Sequence, residues 1–225
     1  MSARGDVAVP RPEHLKRRLA EQLERVVEVA RTDVLARDAK RPVRPHRGRV
    51  EVHVERCTAD RSEECERLLP VARRRDAQTF FARGDVGYVA TVDGRFAGCI
   101  WVSRTTHRDG WSGLRIRLAA DEAYAYALWV EPDDRPKGVG VALCSALLQD
   151  LYDDPGVTRV YGWVDKGNRE SQLLLRMLGY AQVQQVTRVR LFDRIGLQLP
   201  RSDEPHFGPC STAGRHRGDA EVPSP

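Results

Sequence analysis

The sequence has no apolar run near the roughly 20 residues that a membrane-spanning helix needs, and its N-terminus lacks the apolar core of a secretory leader. Both absences lead to the expectation of a soluble, cytoplasmic protein. Cysteine is sparse and scattered. Cys57, Cys65, Cys99, Cys144 and Cys210 make an odd number, with no CxxC pair and no Cys/His ligand spacing. Four of them sit in periodic apolar contexts, the setting of buried free thiols, so neither a disulfide framework, a metal site nor a cysteine nucleophile is expected. Acidic residues cluster only briefly, in "DEAY" and "EPDD", so no strongly acidic surface marks a polycationic substrate. No internal repeat is visible.

What is present suffices for a packed domain, with 41% apolar and 31% charged residues in a chain of 225. The net charge of +5 is uneven: residues 1–49 carry 13 Lys/Arg and 7 Asp/Glu, which leaves the other 176 residues at −1. A nearly neutral core argues against nucleic-acid binding by the domain itself. From Pro12 to Asp38 the apolar positions Leu15, Leu19, Leu23, Val26, Val27 and Ala30 recur at three- and four-residue intervals, which predicts an amphipathic helix. Such a helix packs on the domain or on a second copy, leaving a homodimer open; contact with an anionic surface is the sharper alternative. "RPVRPHRGR" (41–49) reads as a Pro-rich linker, so the expected organisation is a basic extension over 1–49, a domain over 50–199 and a disordered tail over 200–225.

Within the domain, "VEVHVER" alternates with period two, a half-buried strand, and short helices are expected near 60–69 and 73–82. "VGYVATV" and "RFAGCIWVS", joined by Asp93-Gly94, predict a hairpin with a type I′ turn. A polar loop over 105–113, a short strand near 114–118 and the strand "AYAYALWV" (123–130) follow. The chain then breaks at Glu131-Pro132, passes through Arg135-Pro136-Lys137-Gly138-Val139-Gly140, and enters an amphipathic helix reaching about Asp153. Strand, glycine-containing turn and helix together aim backbone N–H groups and a helix dipole at one spot, which suits a phosphorylated ligand. Arg135 and Lys137 add positive charge there. A strand over 157–164, a helix opening at Asn168 and ending at Gly179, and an alternating strand over 180–192 complete the pattern.

The stretch "LWVEP…RPKGVG", with "NRESQLLLRMLGY" about thirty residues on, resembles the GCN5-related N-acetyltransferase (GNAT) superfamily over about Val50 to Phe192. The resemblance implies an α/β (α+β) fold: a mixed, mostly antiparallel sheet flanked by helices, with two central strands splayed to admit a pantetheine arm. It implies acetyl-CoA, or another acyl-CoA, as co-substrate, no metal, and a small-molecule or peptide amine as acceptor. Backbone at Leu128 and Val130, flanking Trp129, would pair with the pantetheine. Arg135, Pro136, Lys137, Gly138, Val139 and Gly140 would hold the pyrophosphate, and Asn168 with Ser171 would reach the same region. Pro136 departs from the pattern, since proline has no N–H to donate.

For catalysis, period two puts Glu122, Tyr124, Tyr126 and Leu128 on one face of the strand before the phosphate loop. Glu122 is the only carboxylate of that group and could accept a proton through water. Tyr124 and Tyr126 are either substrate-contacting or ordinary sheet aromatics. Many family members use a tyrosine as acid toward the departing thiolate; here that position is Leu175. Tyr180 reads as core, and His107 is a weak substitute. The missing donor keeps a non-catalytic acyl-CoA-binding module open, beside a polyanion-binding role for the extension.

Overall fold

The computed structural model describes residues 27–43, 50–108, 115–191 and 195–200. An eight-stranded sheet runs through them in the order β10-β9-β1-β8-β7-β4-β3-β2, and β5-β6 form a separate two-stranded ribbon. The strands are β1 (Val27–Asp38), β2 (His53–Cys57), β3 (Val86–Val92), β4 (Arg95–Ser103), β5 (His107–Arg108), β6 (Arg115–Ile116), β7 (Glu122–Val130), β8 (Arg159–Asp165), β9 (Ala181–Leu191) and β10 (Ile195–Pro200). The helices are α1 (Ser62–Leu68), α2 (Val71–Ala82), α3 (Val139–Asp153) and α4 (Arg169–Met177). The pairing is antiparallel throughout except between β7 and β8. Asp93 and Gly94 both take positive φ, 52° and 73°, as the expected hairpin turn requires.

Each sheet face buries its own core. On one, α3 lays Leu143, Cys144, Leu147, Leu148 and Leu151 against Val102, Ala123, Val160 and Tyr180, with Leu174, Leu175 and Leu178 beside them. On the other, Cys65, Ala77 and Phe81 of α1 and α2 pack on Val89, Trp101, Tyr124, Tyr126 and Tyr161.

Two expectations need correction. The predicted helix over 12–38 gives way to strand β1 from Val27, and residues 12–26 lie outside the described residues. The three- and four-residue spacing is carried mainly by Leu15, Leu19 and Leu23; beyond them the chain turns to Val27, Val29, Thr32 and Val34, residues that fit a pleated surface. β1 lies between β8 and β9, with Val34 opposite Trp163 on one side and Gln184 on the other. The sheet therefore starts well before Val50. Its cations are engaged as well: buried Arg37 donates through Nε to Leu178 O at 2.8 Å, and Lys40 Nζ reaches Tyr152 O at 2.9 Å, capping the end of α3. Burial lowers the Arg37 pKa.

The second correction concerns sulfur. Cys57 and Cys65 form a disulfide with Cα atoms 5.7 Å apart, while Cys99 and Cys144 are buried thiols. Burial pushes these two up to about 11 and about 12, the wrong direction for a nucleophile. Cys210 and the predicted tail beyond 200 lie outside the described residues.

Candidate functional site

β7 carries the site, and its backbone is irregular at one step. Opposite β4, Tyr126 pairs with Trp101 and Trp129 with Cys99, so Ala127 and Leu128 together face the single residue Ile100. Ala127 absorbs the extra residue with φ of 51°, a conformation alanine rarely takes. The bulge resets the alternation. Tyr124, Tyr126 and Trp129 face the α1/α2 side, whereas Ala123, Ala125, Leu128 and Val130 face α3. Leu128 therefore leaves the face shared by Tyr124 and Tyr126, which corrects the period-two placement.

On its other side β7 pairs with β8 only over Glu122–Arg159, Ala123–Val160 and Tyr124–Tyr161. Among the described residues no strand pairs with β7 on that side beyond Tyr124. Ala127 is exposed and Leu128, Trp129 and Val130 are half-buried, although they lie in the middle of the sheet. Leu175 sits at the vertex of this fork. A Cβ placed on Gly162 would lie 3.5 Å from Leu175 Cδ1 and 3.8 Å from Ala125 O.

At the end of β7 a 3-10 turn, Pro132–Lys137, leads to Gly138 with φ of 87° and then to α3. Only glycine takes that φ without strain. Among the described residues no side chain caps α3, and the first bond into the helix is Ala142 N to Gly138 O at 3.0 Å, so the N–H groups of the first turn point outward with the dipole behind them. A Cβ on Gly140 would meet Leu174 and Val130 at 3.5 Å each, which brings the end of β7, the start of α3 and α4 together at one point. Asn168 caps α4 by accepting from Ser171 N at 3.1 Å. Asn168 is exposed and Ser171 half-buried.

The charges of the loop are distributed differently from what the sequence suggests. Asp134 is fully buried and accepts from Arg95 through both oxygens, at 2.6 and 2.7 Å, and from Lys137 Nζ at 2.7 Å. These bonds, Arg95 first and Lys137 second, bring its pKa down to about 2. Lys137 is thus an internal clamp of the turn, while Arg135 is exposed. Asp134 was visible within "EPDD", but nothing local links it to Arg95, which lies across the sheet on β4.

On the α1/α2 face two phenol–carboxylate units flank Tyr124. Buried Glu122 accepts from Tyr161 OH at 2.9 Å and from Ala119 N at 2.9 Å, and Arg159 donates to the same phenol at 3.3 Å. Tyr126 OH donates to Asp85 at 2.5 Å and accepts from Arg83 at 2.6 Å. Burial pushes Tyr161 up to about 12 and, with the Asp85 charge next, raises Tyr126 further. Both phenols therefore stay protonated, and Tyr126 is a poor acid toward a thiolate. The Tyr124 and Tyr126 rings stack at 5.4 Å with planes 5° apart. Asp85, Arg83 and Tyr161 escaped the sequence reading because their bonds to β7 span 39 to 43 positions. His107 lies in the short ribbon strand β5.

Residues 51–180 match the acetyltransferase (GNAT) family. Among solved structures, a protein of Novosphingobium aromaticivorans assigned to the GNAT family aligns at 18% identity and a TM-score of 0.48, over 72% of this chain and 64% of its own. The tandem GNAT protein of the clavulanic acid biosynthesis pathway aligns at 15% and 0.48, over 88% and 62%. An aminoglycoside acetyltransferase from an uncultured soil sample, in complex with sisomicin, aligns at 16% and 0.41, over 57% and 87%. The chain thus spans less than two thirds of the first two of these proteins. No curated protein matches. Among the described residues no helix is long and apolar enough to cross a membrane.

Proposed function

The chain belongs to the acetyltransferase (GNAT) family, and on that premise we propose that it transfers an acyl group, acetyl in the first instance, from acyl-CoA to a primary amine bound beside it. The observation that carries this reading is the fork between β7 and β8 opening next to the uncapped start of α3. The pyrophosphate would lie on the N–H groups of Val139, Gly140 and Val141, with Arg135 at the rim. The pantetheine arm would follow the open edge of Leu128, Trp129 and Val130 toward Leu175, with Asn168 and Ser171 bordering it from α4. A strand edge with no neighbour and a helix start with no cap are the donors such a ligand needs. The amine nitrogen attacks the thioester carbon, the C–S bond breaks, and the amine proton leaves. The thiolate finds no donor in Leu175 and takes its proton from solvent.

For the amine proton we assign the unit of Tyr161 and Glu122. Tyr161 is the last paired residue before the fork and its hydroxyl already donates to Glu122. Tyr161 is buried, so the amine proton would reach its hydroxyl through a water at the fork and displace the phenol's own proton onto Glu122, which thus acts through the phenol. Glu122→Gln should lower kcat by about 10²-fold, with acetyl-CoA KM unchanged. The loss should shrink as pH rises, because more of the amine is then already neutral. A pH-rate profile parallel to the parent's would leave Glu122 a purely structural role.

Calorimetry with CoA tests the loop. At Gly140 there is room for a Cβ, so Gly140→Val should fold yet lose at least about tenfold in CoA affinity, equivalent to roughly 1.4 kcal/mol. Gly138→Val should in addition lower Tm, since a β-branched residue at φ of 87° is strained. Undiminished affinity in both would remove the phosphate assignment. Leu175 favours one other reading, a non-catalytic acyl-CoA-binding module. That module would bind CoA and release no thiol over a broad amine panel. A polyanion-binding role for the extension finds less support, with Arg37 and Lys40 engaged on carbonyl groups.

A further inference from the structure

The proposed reaction leaves the acceptor open, and the α1/α2 face of the fork is unusual in what it offers one. Tyr124 of β7 pairs with Tyr161 of β8, and beyond this rung each prong carries aromatic rings on the same face: Tyr126 and Trp129 on β7, Trp163 on β8. Tyr124 and Tyr161 are sealed, at 0% and 1% exposure, whereas Trp129 and Trp163 are half-buried and so present ring surface at the opening. Phe80 meets Tyr126 edge-on at 5.1 Å and Trp101 at 5.0 Å, which holds the floor rigid from above.

The charges on this face are mixed in sign. Glu122 holds the Tyr161 hydroxyl, Asp85 the Tyr126 hydroxyl and Arg83, Asp165 the Thr32 hydroxyl at 3.0 Å, and Glu131 the Trp129 ring N–H at 3.3 Å, while exposed Asp76 of α2 lies near Cys99. The second oxygen of Asp85 has no partner among the described residues and is sealed from solvent. Meanwhile the Arg73 guanidinium lies 4.1 Å over the Trp129 ring, placing positive charge at the mouth. A flat apolar body would meet ring faces there, and a polycation would have to pass the Arg73 guanidinium.

We propose that the acceptor is an arylalkyl amine, a primary amine carried on a flat apolar body that seats between Trp163 and Trp129, rather than a polyamine or an amino sugar. This rests on the transferase reading and specifies its second substrate. The test uses the full chain with 2-phenylethylamine, butylamine, spermidine and kanamycin, followed by thiol release and, separately, by calorimetry of each amine on the CoA-bound protein. Stacking on these rings should put the KM for 2-phenylethylamine at least about tenfold below that for butylamine, with spermidine and kanamycin poorer still in kcat/KM. Trp163→Ala should raise the 2-phenylethylamine KM about fivefold or more while Trp163→Phe restores it. Equal KM values for 2-phenylethylamine and butylamine, or a higher kcat/KM for either polycation, would overturn the proposal and leave the transferase reading intact. Absence of thiol release with every amine would sink the transferase reading instead. Calorimetry would then still decide the acceptor class, with tighter 2-phenylethylamine binding supporting it and tighter spermidine binding overturning it.

Discussion

A chain lacking residues 1–49 should fail to fold: no cooperative thermal transition, and little soluble protein after expression. The deletion removes β1 from between β8 and β9, leaving the facing edges of both strands without their partner. It also removes Val34 and Leu35, which are 0% and 1% exposed and each worth roughly 1.5–3 kcal/mol in burial. The bonds of Arg37 to Leu178 O and of Lys40 to the end of α3 go with them. Against a total stability of about 5–15 kcal/mol, such a loss is not survivable. A deletion ending at residue 26 spares β1 and should keep both the transition and CoA binding. Differential scanning calorimetry of the two truncations, followed by CoA titration of whichever folds, decides the matter. A folded, CoA-binding 50–225 fragment would show that β1 is dispensable.

Replacing Asp134 by Asn should raise the CoA Kd by at least about tenfold, equivalent to roughly 1.4 kcal/mol, although Asp134 would touch no part of CoA. Its carboxylate ties Arg95 on β4 and Lys137 into the turn that ends in Gly138, so the substitution frees the turn and scatters the N–H groups of α3. The pH dependence follows from the lowered pKa. Unfolded, Asp134 titrates near 4; folded, near 2. Its contribution to stability is therefore fully present above the unfolded value and is lost as pH falls through the folded one. The difference in Tm between parent and Asp134→Asn should be constant at neutral pH, narrow below about pH 4 and close near pH 2. A difference that persists unchanged into strong acid would mean that the carboxylate charge is not what holds the turn.

Much of the scaffold was legible because its signals are local. The hairpin turned at Asp93-Gly94, since both residues tolerate positive φ, and Gly138 marked the start of α3 for the same reason. The apolar faces of α3 and α4 and the alternation of β2 and β9 recur at the periods of their elements. Residues 12–38 misled because helical spacing at Leu15, Leu19 and Leu23 runs without a break into a β-branched stretch, and nothing in the sequence announces that β8 and β9 stand ready to pair with it. The free-thiol reading of Cys57 and Cys65 failed similarly. Their separation of 8 residues matches no familiar motif, and only the fold of β2 onto α1 brings the sulfurs together.

At the site the division is sharper. The sequence by itself determined the glycine-marked turn from β7 into α3, because backbone conformation there depends on which residues lack a Cβ. It also determined that Leu175 can donate no proton. Tertiary structure alone decided that Ala127 bulges, which turns Leu128 toward α3 and Trp129 toward the aromatic floor; an alanine carries no local sign of positive φ, and the extra residue exists only relative to β4. It decided that Lys137 belongs to Asp134, that Tyr126 belongs to Asp85, and that Glu122 belongs to Tyr161. A hydrogen bond between residues far apart in the chain is fixed by how strands are ordered in a sheet, and that order is a property of the packed molecule rather than of any segment in it.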